Sequence, residues 1–342
     1  MINDTPIRTN ESYKINNIPL DFELMQEFKE FKNIKINTKN VEINEGIITP
    51  LVYGLGDEIY DNMLKYTNHN IAMKTTGKAE IEIVYSFDEN NTNVLNNIQL
   101  EANHDTKIRI VYKSNTKQYN IHNGILKINA KEKVEVVGEI INLMNDVSIN
   151  LEVIESNIED NAKVELRVID IGANKSISNI YSDAKGKKST FEIDTVYMAS
   201  KNELKDINYI SHLRGEKSNV SMNIEGVLDD NSTKNFKGTL DFKSGAVKAN
   251  GSEKENCTML SDTVKSKALP ILLCTEEDVE GSHSASSGKV DSDKLYYIMT
   301  RGFTKKEAIK MLVRAKFYNV LDKINGEEYI ELINKEIDRR LV

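Results

Sequence analysis

The chain has 342 residues, enough for one large domain or for a core flanked by two small ones, so burying a sizeable core is not its limiting problem. Lys and Arg number 45 against 53 Asp and Glu, a formal charge of -8 with a pI near 5.4, which excludes a surface built mainly to neutralise nucleic-acid or membrane phosphates. Protein or small-ligand partners are expected instead. The opening MINDTPIRTNESYKINN is polar and lacks an apolar leader core, and no window reaches the apolar length of a membrane span, so the expected location is the cytoplasm. Two cysteines cannot staple a chain of this size, and in a reducing compartment they read as buried, reactive or metal-binding thiols.

Residues 1–79 read as a helical N-terminal cap. In LDFELMQEFKEF (20–31), Phe22, Met25, Phe28 and Phe31 fall at helical spacing, and DEIYDNMLKY (57–66) repeats the pattern weakly. Between them NIKINTKNVEINEG alternates as an edge strand does. From Ile81 the period changes, and EIEIVYSF, NIQLEA, KIRIVY, ILKINA and KVEVVGEI all alternate apolar with polar. Further strand-like segments begin near Ala162, Lys175, Ser189, Glu203, Ser218, Ser232 and Gly245, recurring at roughly fourteen residues, without helices long enough for crossovers. That regularity predicts a mainly β repeat architecture over residues 80–288, a parallel β-helix with two strands per turn. A Greek-key sandwich is the competing reading. After Gly288 the helical period returns: Asp291, Ser292 and Asp293 form a cap, Thr304 and Glu307 a capping box, and Ile309, Leu312, Val313, Phe317 and Val320 one apolar face. Residues 289–342 are therefore read as a helical region that the end of a solenoid would half cover, with one face free for a partner.

The chemistry concentrates between Glu255 and Phe303, which hold both cysteines and His283. Thiolate and imidazole suit iron, iron–sulfur clusters, zinc or copper. Cys257 taken alone is a small buried hydrophobe, and His283 a loop imidazole. What raises the pair is a separation close to two repeats, which on a two-strand turn puts them on neighbouring rungs, about 4.8 Å apart along the stack. Cys274, in the apolar run ALPILLC, reads as a buried structural thiol, and Glu280 as a solvated turn residue that could add a carboxylate. His69, His104, His122 and His212 share no ligand spacing. AKGKKST (184–190) fails as a phosphate-binding loop, because Tyr181 stands where a Gly is required and Lys188 where Ser or Thr is required, so no nucleotide is expected on this chain.

The run from Arg214 to Phe317, with GTLDFKSGAVKANG, NCTMLSD and LPILLCTEEDVEGSHSASSGKVDSDKLYYIMTRGFTKKEAIKML, resembles the core of the SufB/SufD family of iron–sulfur cluster assembly proteins. The resemblance implies a right-handed parallel β-helix between N- and C-terminal helical parts. It implies a non-catalytic scaffold: two β-helix subunits pair, each carries the ABC-type ATPase SufC on its C-terminal helices, and a transient, nascent cluster forms at the paired interface with sulfur from donor proteins. Cys257 matches the family's cluster-forming cysteine and His283 its histidine, while Tyr296, Tyr297, Arg301, Gly302, Phe303 and Ala308 match the segment that meets the ATPase. Long SufB proteins flank the histidine with glutamates, whereas this chain has Ser282 and Ser284, and so mixes features of both subfamilies. A homodimer is the favoured expectation, because Cys257 and His283 occur together, with a SufD-like accessory subunit of a separate SufB scaffold as the alternative. A β-helix that binds or cleaves polysaccharide is a more distant one, disfavoured by the absence of Trp and an aromatic content of 7%.

Overall fold

The computed structural model describes residues 2–7, 13–16 and 18–341. An antiparallel pair opens the fold: β1 (Ile34–Glu45), then α1 (Asp57–Tyr66) and the long strand β2 (His69–Phe87). The strands that follow are β3 (Asn93–Ala102), β4 (Thr106–Ser114), β5 (Ile121–Ala130), β6 (Glu135–Leu143), β7 (Ile149–Ile158), β8 (Lys163–Asp170) and β9 (Lys175–Ala184). The rest are β10 (Thr190–Ala199), β11 (Leu204–Leu213), β12 (Asn219–Leu228), β13 (Thr233–Phe242), β14 (Ala249–Met259), β15 (Lys265–Cys274) and β16 (Val279–Lys289). Helices α2 (Ser292–Thr300), α3 (Lys305–Leu321) and α4 (Glu327–Arg340) close the chain.

Odd-numbered strands from β3 to β15 pair in parallel as one wall, even-numbered strands from β4 to β16 as the other, and β2 belongs to both, pairing β3 with its first half and β4 with its second. Each turn therefore spends one strand on each wall, and the product is the expected flattened β-solenoid rather than a sandwich. From β8 to β13 the strand starts fall within a residue of those read from sequence, whereas β2, β3 and β5 begin four or more residues earlier, β7 is not among the segments the alternation indicates, and β14 begins at Ala249 because Gly245 (φ 97°) and Lys248 (φ 59°) turn the chain first. The corners stack as regularly as the strands. Lys133, Asn161, Lys188 and Lys217 all take left-handed backbone (φ 63°, 57°, 56° and 59°). Their N–H groups donate to the next corner, at Asp160 (3.0 Å), Lys187 (2.8 Å), Glu216 (2.8 Å) and Val247 (2.8 Å), so corner backbone is satisfied rung to rung.

Side chains of alternate parity fill the lumen with a single apolar core that includes Ile83, Ile110, Ile154, Ile193, Phe236 and Leu240. Opposite parity faces outward, and each wall's outer face is buried in turn by one end of the chain. On the odd wall Ile2, Ile18, Met25, Leu55, Ile59 and Met63 cover Leu95, Ile125, Leu151 and Ile177. On the even wall Val313, Phe317, Ile333 and Ile337 of α3 and α4 cover Val111, Ile141, Ile169 and Val196. The helices thus lie along the flank of the solenoid, not on its end as expected. They are clamped there by polar contacts: Arg109 donates to the Asn325 carbonyl and stacks 4.4 Å from the Tyr329 ring, and Arg340 pairs with Glu203 at 2.5 Å.

The helix expected at residues 20–31 does not form. This segment is an extended strap: Met25 and Phe31 are buried, but Phe28 is 61% exposed, so the apolar residues anchor it at intervals without lining one face. Helix α1 and the edge strand β1 do form where the sequence indicates. Among the described residues no helix is long and apolar enough to cross a membrane.

Candidate functional site

The two ends of the solenoid differ. At the N-terminal end β1 lies antiparallel on β2. At the C-terminal end β15 and β16 are the last rungs of their walls, and every residue of β16 after Val279 is exposed. The lumen opens here, and His283 and Cys274 both stand at the opening.

Register decides what faces the lumen. Cys257 of β14 pairs with Ser287 of β16, and His283 pairs with Glu253, so Glu253, Glu255 and Cys257 share the lumen side with His283 and Ser287. Cys257 and His283 are on neighbouring rungs, as the repeat count suggests. They are offset by four positions along the strand, however, a shift of about 13 Å at 3.3 Å per residue. Glu280 has the opposite parity and lines an outer groove with Ser252, Asn250 and Glu192, away from both. Cys274 is exposed, against the expectation of a buried thiol, because the wall ends at its own strand and no further rung covers it. Its Sγ lies 2.9 Å from the Glu276 carbonyl, to which it donates.

Glycines shape the space around Cys257. A Cβ on Gly226 would lie 1.8 Å from Cζ of Tyr197, and its absence lets that ring rise along the lumen until the hydroxyl donates to Glu255 at 2.7 Å. Lys234, fully buried, pairs with the same carboxylate at 3.0 Å. Cys257 is 3% exposed and lies beside the Tyr197 and Ser266 side chains, and Ser266 in turn meets Ser287 at 2.8 Å. Burial pushes the Cys257 thiol up, with the Lys234 ammonium and the Tyr197 hydroxyl pulling the other way. Glu253 reaches across to the odd wall, where a Cβ on Gly238 would fall 2.3 Å from its carboxylate, and it is held up at about 8 by burial and by the charge of Glu255. Among the described residues, no three His, Cys, Asp or Glu side chains are gathered as a metal site as they stand.

Behind this cluster a polar seam that sequence reading missed follows the lumen wall. Tyr85, Tyr112, Asn142, Asp170, Tyr197, Gly226, Cys257 and Ser287 are successive register partners on the even side. His122, Asn150, Ser176, Lys205, Lys234 and Ser266 are their counterparts on the odd side. His122, given no role from sequence, bonds Asn150 at 2.6 Å and Asn96 at 2.9 Å, and burial lowers it to about 3. Lys205 holds Asp170 at 2.8 Å. The only available signal was polar residues recurring at one position of successive repeats, Asn150, Ser176 and Lys205 among them.

A family model described as the SUF system FeS cluster assembly SufBD core domain matches residues 85–316. That interval takes in the solenoid from β2 through β16 and runs into α3. The chain belongs to this family. It is 26% identical over 312 residues to the iron–sulfur cluster assembly protein SufD of Bacillus subtilis, spanning 87% of this chain and 66% of that protein. SufD of Escherichia coli is 23% identical over 164 residues, 48% of this chain and 38% of its own. An iron–sulfur cluster assembly SufBD family protein of Pyrococcus horikoshii is 24% identical over 213 residues, 54% and 47% respectively. The chain thus spans two thirds or less of these relatives' lengths.

The segment matched to an ATPase contact is split by the fold. Helix α2 buries none of its residues, leaving Tyr296 71% and Tyr297 58% exposed, with Phe303 exposed beyond it. Arg301 stacks on Tyr297 at 5.1 Å and donates to its hydroxyl at 2.9 Å. Gly302 turns the chain at φ 96° with open space around it. Ala308, in contrast, belongs to the first turn of α3 and is fully buried.

Proposed function

We propose that this chain is a scaffold subunit on which an iron–sulfur cluster is built as cargo, paired with a second copy through the bare end of its solenoid and worked by an ABC-type ATPase docked on its C-terminal helices. The observation that carries the reading is the presence of a thiol and an imidazole, Cys257 and His283, on the last two even rungs, beside a wall end that no described strand covers. Thiolate and imidazole are cluster ligands, and a centre takes four protein ligands in all. Two from each chain of a symmetric pair supply that number. Free N–H and C=O groups along an uncovered rung are a template for another strand, and a two-fold pair brings two lumen mouths together. The Cys257 thiol gives up its proton as metal or sulfur arrives, with Lys234 favouring the thiolate.

The exposed aromatic face of α2, with Arg301 aligned on it, supports the ATPase contact, and nucleotide chemistry then resides on that partner. Sulfur and iron come from donor proteins in the cytoplasm. Two relatives named SufD favour a second reading, in which this chain is the accessory partner of a separate scaffold and lends His283 to a shared interface.

Anaerobic reconstitution, followed by visible absorption, tests the site. Cys257→Ser should abolish cluster formation, His283→Ala should lower its yield or retention, and Cys274→Ser should leave it unchanged. Loss only in Cys274→Ser would transfer the role to the thiol at the mouth, a Cys257→Ser protein that fills normally would overturn the assignment of Cys257, and a wild-type chain that does not fill by itself would support the accessory reading.

A further inference from the structure

Glu253 is 2% exposed, and among the described residues it is the side chain with both carboxylate oxygens buried and without a hydrogen-bond partner. A buried carboxylate in that condition is costly unless a countercharge reaches it. The nearby ammonium, Lys234, is already engaged by Glu255 at 3.0 Å. Glu253 thus lies across the lumen against Gly238, and no hydrogen-bond donor among the described residues answers its oxygens.

The direction of approach is fixed by register. Glu253 pairs with His283, the next residue toward the opening on the same side of the wall. Gly281, two residues before His283, confirms the facing, since its missing Cβ would meet Phe242 and Leu272 of the lumen. No described strand stacks beyond β16, so the imidazole is accessible from solvent while the carboxylate behind it is not. Neighbouring rungs are about 4.8 Å apart, so the backbone sets Glu253 and His283 side by side on the lumen side, and a shared ion requires the carboxylate to swing back from Gly238 toward the imidazole. Imidazole with carboxylate suits first-row divalent ions, whereas magnesium and calcium take oxygen alone.

We propose that Glu253 and His283 form a two-ligand half-site for a first-row divalent transition-metal ion at the mouth of the lumen, completed by water or by a second chain. The inference rests on the reading of His283 as a metal-facing residue and adds a ligand that no motif marks. It gives the scaffold a place to hold the metal ion apart from the Cys257 thiol, four positions away along the strand.

The test uses the metal-free full chain in a Cys274→Ser background, so that the exposed thiol does not compete, titrated with Co²⁺ under anaerobic conditions. The parent should show Co²⁺ d–d absorption and a rise in thermal midpoint on binding. Glu253→Gln keeps the shape and removes the charge; it should weaken Co²⁺ binding tenfold or more and lose the midpoint rise, while its metal-free midpoint equals or exceeds that of the parent. His283→Ala should weaken binding similarly, and Glu277→Gln, at an exposed corner, should not. Unchanged Co²⁺ affinity in Glu253→Gln, or no Co²⁺ absorption in the parent, would overturn the proposal and leave Glu253 a protonated carboxyl only. Loss of clusters in Cys257→Ser alongside Co²⁺ binding indifferent to Glu253 overturns this inference alone. Co²⁺ binding that needs Glu253, with clusters indifferent to Cys257, overturns the assembly site alone.

Discussion

At Gly226 a single missing carbon determines what the candidate site contains. Tyr197 occupies the space that a Cβ would need and from there reaches Glu255 and Cys257, two rungs further on. Gly226→Ala should force that ring aside and destabilise the protein by about 1–3 kcal/mol, the usual range for overpacking a core. Gly288→Ala, with nothing within 4 Å of its added carbon, is the control, and thermal midpoints compare the two. Glu152 sets a pH dependence further along the lumen. Burial and the charge of Asp170 raise it from 4.5 to about 8, while Lys205 holds Asp170 and Tyr85, Tyr112 and Tyr209 complete the surroundings. The folded state keeps a proton that the unfolded chain has released, so this contribution to stability is full below pH 4.5 and is lost as pH rises through about 8. Glu152→Gln should flatten the fall in stability over that interval; an unchanged slope in chemical denaturation would contradict it.

At the scale of elements, most strands were legible, β7 (Ile149–Ile158) not among them, and their facing was not. In Ile121–Ala130 the alternation is plain, but both parities are buried, His122 by the lumen and Ile121 by the N-terminal strap. Period two identifies a strand without saying which side is inside, which is why the seam through His122, Asn150 and Ser176 could not be read in advance. Cys274 illustrates a second limit, since burial in a solenoid depends on whether another rung follows, and local composition carries no sign of the last one. The strap at 20–31 shows a third, because apolar anchors spaced along an extended segment can imitate one face of a helix. Helix α2 was legible through its Asp291 cap, which accepts from Asp293 and Lys294, and its exposed aromatic face makes a partner-specific prediction. Arg301→Glu should weaken co-purification with the proposed ATPase while leaving the unfolding free energy within about 0.5 kcal/mol of wild type, as for other surface changes. Binding that survives deletion of everything after Gly288 would remove the helices from the interface.

For the whole molecule, the chain covers its own flanks and leaves one end open. The N-terminal strap and α1 bury the odd wall, α3 and α4 bury the even wall, β1 closes the first rung, and at the other end Tyr13 reaches Lys267 and Ala268 of β15 while β16 is exposed with no described strand beyond it. A strand such as β16, VEGSHSASSGK, with few apolar side chains and an unpaired edge, is suited to pairing with another chain. Native mass spectrometry of anaerobically reconstituted protein tests this account most directly, because it reads chain number and cluster content in one measurement. The account predicts a species of two chains carrying one cluster, absent from the Cys257→Ser protein. A single chain holding a complete cluster, or a loaded pair that persists in Cys257→Ser, would contradict it.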